Sequence, residues 1–494
     1  VDFTNLYTGN ITSMASMLKG CTSLVALDVS GWNTSAVTDF SSLFEGCTSL
    51  ASVDVSAWDT SNATDMSAMF KNCSSATFGS LDVSKFATSK VESFADMFAG
   101  CSNVNALDVS KWNTSSATNL FGVFNGCSKV SVLDVSGWDT TKATTLSHVF
   151  DGCSKVATID VSGWSTANVT DLSYAFDGCS NVEALDVSGW DTAQVTSMAH
   201  TFDGCAKVAT IDVSAWDTTR VTNMANLFNG CAAVELLDVS GWDVYNVTDL
   251  SGIFAGTSAL KTIYAAENAN WDSDAASATN KTGLFTSTTS VLKGGAGTVR
   301  GGGTTNTGAT YARVDRASAP GYFTSLPNVA VQATSGANSL VAKYYSGTEA
   351  VALLDGRAPQ GSTVLLTGGA DAGLVISGWL VVDGNSASIA TTKDDSTGGW
   401  TFTMPAGSVT ATPIVGNTPV HWGFVIEDAA GTGTLHLSMS EVQNASQRGT
   451  VADSYSTASR VPWASLRDKV TAVVVDDVIR PTSTAFWFYG FTKL

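Results

Sequence analysis

From its first residues to about residue 257 the chain repeats one arrangement of apolar and polar positions, nearly always every 26 residues, as the step from Cys21 to Cys47 shows. In the unit Leu24 to Ser49, Leu24, Leu27 and Val29 have the spacing of a short leucine-rich-repeat strand, which turns Asp28 and Ser30 to the opposite face. The turn-rich stretch Gly31-Trp32-Asn33-Thr34-Ser35 follows. Its tryptophan returns as Trp58, Trp112, Trp138, Trp164, Trp190, Trp216 and Trp242, with Phe86 standing in once. Val37, Phe40, Leu43, Phe44 and Cys47 then lie on one stripe of a short helix, with Thr38 placed to cap its first turn and Gly46 to end it. The pattern predicts an α/β solenoid of leucine-rich-repeat-like, 26-residue units, with a parallel sheet on one side and short helices on the other.

The nine cysteines sharpen the period. Every gap is 26 residues except Cys73 to Cys101, which is 28, and Thr257 continues the count without a thiol. All nine therefore occupy one repeat position. They are expected to be reduced and buried, acting as small apolar fillers. The Trp column and the Phe column (Phe44, Phe70, Phe98 and onward to Phe254) are expected to be core, because each stacked ring hides about 150 to 250 Å².

Asp2 lies 19 residues before Cys21, as Asp28 lies before Cys47, so Val1 is expected inside a strand with a further repeat or cap preceding it. Leu260 to Tyr264, Leu284-Phe285, the Gly-rich stretch 294 to 308 and Pro320 to Thr324 read as a degenerate closing cap. Past Leu326 the period becomes two, with strands at 339–345, 362–367 and 374–381 between Gly and Asp turns, as in a small all-β sandwich. A β-rich third segment follows, in which Phe488, Gly490 and Phe491 match the Phe, Gly and Cys positions of the array, as if a second array starts there. The domain reading is 1–325 repeats and cap, 326–418 sandwich, 419–494 lead-in module.

Composition narrows the function. Charged residues make up only 14% of the chain, yet they sum to −19. That balance disfavours nucleic acid and anionic membranes as partners, and suits a polycation or a divalent metal. No stretch is apolar enough to insert in a membrane, and the fragment reads as monomeric. Enzyme chemistry finds little support: His148, His200, His421 and His436 have no helical i+4 partner or thiol pair at zinc spacing. His148 and His200 fall at equivalent positions of two repeats and read as solvated helix residues. No cofactor is expected.

Leu-Asp-Val-Ser-Gly-Trp-Asp-Thr at 133–140, Ala63-Thr-Asp-Met66 and the recurring Phe-x-Gly-Cys resemble the BspA-like leucine-rich-repeat surface proteins, whose repeat also occurs in mycoplasma surface lipoproteins. Trp400 to Pro405 is similar to immunoglobulin-like spacer modules of bacterial surface proteins, and Gly431 to Val475 looks like the module that precedes such arrays. The resemblance implies a secreted, non-enzymatic adhesin or binding scaffold, attached to the cell surface through regions outside this fragment and meeting an extracellular protein or glycan. A structural stalk without a ligand is the alternative.

Two sets of polar columns are candidate surfaces. Asp28, Asp54, Asp82, Asp108, Asp134, Asp160, Asp186, Asp212 and Asp238 precede a Ser column by two residues, and could hold cations or simply satisfy turn amides. The Thr columns headed by Thr34 and Thr38 could order water in an ice-like surface or cap helices and turns. A specific site should break the repeat pattern. The clearest break is the 73–101 unit with its Phe86 and Glu92, and these two, with Ser30, Ser56 and Ser84 of the Ser column, are the ligand-binding candidates.

Overall fold

The computed structural model describes residues 6–288, 291–300, 307–372, 374–417, 421–438, 442–451, 461–476, 487–489 and 491–494. The strand expected around Val1 and Asp2, the Gly490 position and residues 301–306 of the Gly-rich stretch lie outside these. The chain divides into two compact units, Val1–Leu326 and Pro327–Leu494.

In the first unit consecutive repeats stack in parallel, one repeat apart. Ala26–Leu27 pairs with Ser52–Val53, and later Leu236–Asp238 pairs with Thr262–Ala265, which pairs with Phe323–Ser325. A second line of parallel bridges runs Ser13, Asp39, Asp65, Ser93, Asn119, Thr145, Asp171, Ser197, Asn223, Asp249 and Asn280. Leu24, Leu27 and Val29 are buried while Val25, Asp28 and Ser30 face solvent, so the strand reading of this segment holds.

The helices do not form, and the α/β assignment is corrected: the repeats are β-and-turn throughout. Among the described residues the α-helix is a single turn, Trp271–Asp274. In the segment read as helical, every second amide reaches the next repeat: Phe40, Ser42, Phe44 and Gly46 donate to the carbonyls of Asp65, Ser67, Met69 and Lys71. The intervening amides of Leu43, Glu45 and Cys47 bond three residues back, closing consecutive β-turns. Ser42 at φ +55° and Gly46 at φ +74° lie in the left-handed region, which a right-handed helix excludes. Gly46 is thus a turn residue and not a helix cap. At the equivalent Gly152 a Cβ would also meet the Cα of Gly126 at 3.3 Å, so the glycine permits the close approach of adjacent turns. Thr38 caps no helix either. Its equivalent Thr64 directs both amide and hydroxyl to the Thr38 carbonyl of the preceding repeat, at 2.7 and 3.1 Å.

Between the strand and turn sides lie the aromatic columns. Trp112, Trp138 and Trp164 stack with centroids 6.1 to 6.2 Å apart and planes within 4°, and each indole N–H reaches a valine carbonyl of the preceding repeat. Phe124, Phe150 and Phe176 form a second stack at 5.6 to 5.8 Å. The columns run on to Trp271 and Phe285, which stack on Trp242 and Phe254 at 6.3 and 5.5 Å, and end there: Tyr322 and Phe323 meet Phe285 and Trp271 edge-on, at 5.1 and 5.0 Å. Edge-on rings offer the columns no parallel face to continue on.

In the second unit two sheets share one core. One has the antiparallel order Thr392–Asp394, Gly399–Thr403, Thr363–Ala370, Ala337–Ser346, Glu349–Ala352. The other has the order Ser388–Ile389, Leu374–Asp383, Val409–Asn417, Val329–Val331. Val364, Leu366 and Phe402 of the first meet Trp379, Val381, Val409 and Ala411 of the second. A further four-stranded sheet, including His421–Ile426 and Gly433–Ser438, has its own core of Trp422, Phe424, Leu435, Leu437, Trp463 and Trp487. Phe488 and Phe491 meet edge-on at 5.9 Å, unlike the parallel Phe column of the array.

All nine cysteines are free and eight are buried, but the expectation is corrected at Cys21, which is exposed. Each buried thiol donates to a carbonyl of the preceding repeat, as Cys73 Sγ does to Phe44 O at 3.2 Å. Burial pushes the Cys47 thiol up to about 11 and that of Cys127 well above its ordinary value. Native-state maleimide labelling should therefore modify Cys21 alone, with the other eight reacting only after unfolding in urea without reductant. Mass spectrometry decides it: a stoichiometric disulfide, or rapid native labelling of a second thiol, contradicts the ladder of buried free thiols.

Candidate functional site

The polar columns are tied up locally. Each Asp of the Asp/Ser column accepts from the amide two residues on, as in Ser30 N–H to Asp28 Oδ1 at 2.9 Å, and often from the Ser hydroxyl too, as in Ser110 Oγ to Asp108 Oδ1 at 2.7 Å. These are Asx turns. They hold the carboxyls of Asp28, Asp54, Asp82, Asp134 and Asp186 below the usual range, through the Ser hydroxyl first and the Ser amide second. The Thr34 column is buried, its hydroxyls bonding to the carbonyl of a residue in the next repeat, as in Thr34 Oγ1 to Asp59 O at 3.0 Å, so it presents no surface for water. Of the ligand-binding candidates, Ser30 and Glu92 are exposed, and Ser56 and Ser84 are half-buried and bonded to their own aspartates. Phe86 is corrected: it is 4% exposed and stacks on Trp112 at 6.5 Å, filling the Trp column and not reaching solvent. Within the 73–101 unit, that burial leaves Ser84 and Glu92 without Phe86 as a surface partner.

The structure gathers different residues, on the turn side. The turn position of Ser42 is occupied in successive repeats by Ala68, Asp96, Gly122, His148, Tyr174, His200, Asn226 and Gly252, all with positive φ. Where neighbours have small or short polar residues there, three consecutive repeats hold rings in the left-handed region, at φ 57°, 60° and 57°. The His148, Tyr174 and His200 rings stack with centroids 4.4 Å apart and planes within 9°, tighter than either buried column. Phe121 adds a tilted ring, 5.4 Å from His148 and at 59° to it.

Three residues further on, each of these repeats carries an aspartate. His148 Nδ1 lies 2.8 Å from Asp151 Oδ2, and His200 Nδ1 lies 2.8 Å from Asp203 Oδ2. Asn229 Nδ2 donates to Asp203 Oδ1 at 2.9 Å, and Asn226 Nδ2 sits 3.3 Å from His200 Nε2. Asp177 differs, because a tyrosine and not a histidine stands at its i−3 position. Burial, then the carboxylates of Asp203 and Asp151, push its carboxyl up to about 6 against the weaker opposing pull of His200 and His148. Among the described residues, Asp177, His200 and Asp203 are the group whose potential metal-ligating atoms lie within 4.8 Å of one another. The reading of His148 and His200 as solvated helix residues is corrected: both are half-buried, on turns, and paired with carboxylates. Aligning the repeats at period 26 places His148, Tyr174 and His200 in one column and the aspartates in another, which is the signal that search by helical spacing passes over.

The two kinds of aspartate have opposite pH signs. The depressed carboxyls of the Asp/Ser column contribute stability above about pH 4 and lose it as pH falls through their folded values. The raised Asp177 costs stability above about pH 6 and ceases to cost it as pH falls toward 4. Urea midpoints of metal-free protein should rise slightly from pH 8 to 5 and fall below 4. Asp177→Asn should be more stable than the parent by about 1 kcal/mol at pH 8, after discounting for solvent screening. The gain should vanish near pH 4; an equal gain at both pH values would contradict the electrostatic cause.

No curated protein matches the chain. Among solved structures it is similar to the functional domain of InlJ from Listeria monocytogenes, described as including a cysteine ladder, at 13% identity and a TM-score of 0.18, over 79% of this chain and 91% of that one. The family model "Mycoplasma protein of unknown function, DUF285" matches residues 1–105, 74–185 and 170–294, overlapping spans that together take in more than half of the chain. With its 26-residue register running through those spans, the chain belongs to this DUF285 family.

Proposed function

We propose that residues 1–326 form a solenoid of leucine-rich-type repeats, of the kind in BspA-like surface proteins, that serves as a non-enzymatic adhesin on a bacterial cell surface. The β-sheets that follow would act as an immunoglobulin-like spacer and a lead-in module. One observation carries the reading: the half-exposed stack of His148, Tyr174 and His200, which breaks an otherwise small-residue column in three consecutive repeats. Rings held rigidly by their turns offer contact area at little entropic cost, and the adjoining carboxylates offer hydrogen-bond acceptors. Such a strip suits an extracellular protein or glycan better than an anionic polymer, which three aspartates would repel.

Binding of the intact chain to arrays of glycans and extracellular-matrix proteins tests this. Tyr174→Ser is the informative variant, because Ser42 occupies the equivalent turn with the same backbone sign. A ligand whose affinity falls at least tenfold in Y174S supports the adhesin, since losing an aromatic anchor costs about 2 kcal/mol or more. An array with no ligand, or a ligand indifferent to Y174S, favours a structural stalk or a different face.

A further inference from the structure

We propose that Asp177, His200 and Asp203 form a binding site for one divalent cation of the zinc class. The inference does not rest on the adhesin reading, because it concerns the chain's own side chains and an ion. Their ligand atoms come from adjacent turns of the stack and already lie within 4.8 Å of one another. Tetrahedral ligands about 2.0 to 2.2 Å from zinc sit about 3.4 Å apart, so side-chain movements of about 1 Å close the set. One imidazole nitrogen with two carboxylate oxygens suits zinc and its transition-metal neighbours. Calcium takes six or more oxygens, and magnesium also selects oxygen.

The surroundings resemble a supporting shell. Asn229 Nδ2 holds Asp203 Oδ1 at 2.9 Å, which leaves Oδ2 turned to His200. Asn226 lies 3.3 Å from His200 Nε2. Turning its amide over presents the oxygen to an Nε2–H, and Nδ1 then has its lone pair free for the ion. Tyr174 and Asn226 lie in the repeats on either side of His200, and the tyrosine ring stacks on the imidazole at 4.4 Å with planes within 9°, which limits the ring's rotation. Asp177 has no hydrogen-bond donor on its carboxylate among the described residues, and the charges acting on it are the Asp203 and Asp151 carboxylates and the two imidazoles. A cation there would neutralise a half-buried carboxylate pair that no lysine or arginine among the described residues pairs with. His148 and Asp151 form a separate pair one repeat beyond Asp177 and are not part of the set.

The test uses tag-free residues 1–494 stripped with chelator, in a Cys21→Ser background that removes the exposed thiol as a competing ligand. Isothermal titration with zinc chloride should show one ion per chain at micromolar or tighter affinity, with calcium and magnesium chloride giving no comparable heat. His200→Gln, Asp177→Asn and Asp203→Asn should each weaken zinc binding at least tenfold, while His148→Gln stays within about threefold. Asn226→Ala should weaken it about 10- to 100-fold if that amide orients the ring. Cobalt substitution adds a second readout, since visible ligand-field bands should appear in the parent and be lost in His200→Gln. Urea midpoints of the metal-free variants at or above the parent value separate lost ligation from lost folding. Absence of zinc binding at 100 μM, or binding equally strong in all three ligand variants, overturns the proposal; equal affinity for calcium overturns its zinc-class assignment. Failure of the ligand arrays leaves this result untouched.

Discussion

Everything in the first unit depends on backbone hydrogen bonds made one repeat away. The alternate amides of each turn segment, such as those of Phe40, Ser42, Phe44 and Gly46, find their acceptors in the following repeat. Buried backbone donors must be paired, so a slip of register by one residue would orphan a whole row and rotate the apolar side chains out of the core. The period therefore has to hold, and where two residues are inserted between Cys73 and Cys101 they are absorbed in a surface turn while the bridges on both sides resume.

A locked register converts every repeat position into a column. That explains why the tryptophans and phenylalanines stack nearly parallel, why the eight buried thiols share one environment, and why the hydroxyls of the Thr34 column bond between repeats. It also explains the candidate site. Substitution at one turn position in three consecutive repeats does not scatter three rings over the surface; it builds a line of them, with their aspartates three residues on forming a second line alongside. The electrostatic tension at Asp177 follows from the same geometry. Like charges on neighbouring turns are held close whether or not each has a partner, and Asp177 alone of its three has tyrosine in place of histidine.

The second unit obeys a different rule. Its strands alternate inward and outward residues, and Trp379, Val381, Val364 and Phe402 come from two sheets to make one core. The separate cluster around Trp422, Trp463 and Trp487 is tied by an indole N–H of Trp463 to the Trp487 carbonyl at 2.7 Å. Period-two patterning made the strands Ala337–Ser346, Thr363–Ala370 and Leu374–Asp383 legible, because a strand with one buried face writes its orientation into the sequence.

By itself the sequence determined the period, the buried columns, the free thiols as fillers and the in-and-out orientation of Leu24 to Ser30, because burial and periodicity are both written along the chain. It could not decide between a helix and a run of β-turns for Val37 to Cys47. Apolar residues at Phe40, Leu43, Phe44 and Cys47 fit either a 3.6-residue turn or successive four-residue turns, and only the choice of acceptor, within the segment or in the next repeat, separates them. The site was likewise present in the sequence as residues but not as a place. His148, Tyr174 and His200 are 26 residues apart, and their rings come within 4.4 Å only because the backbone bonds between repeats set the separation of adjacent turns. Phe86 shows the converse: conspicuous as a break in the pattern, it is buried by the same stacking that brings the histidines and aspartates together.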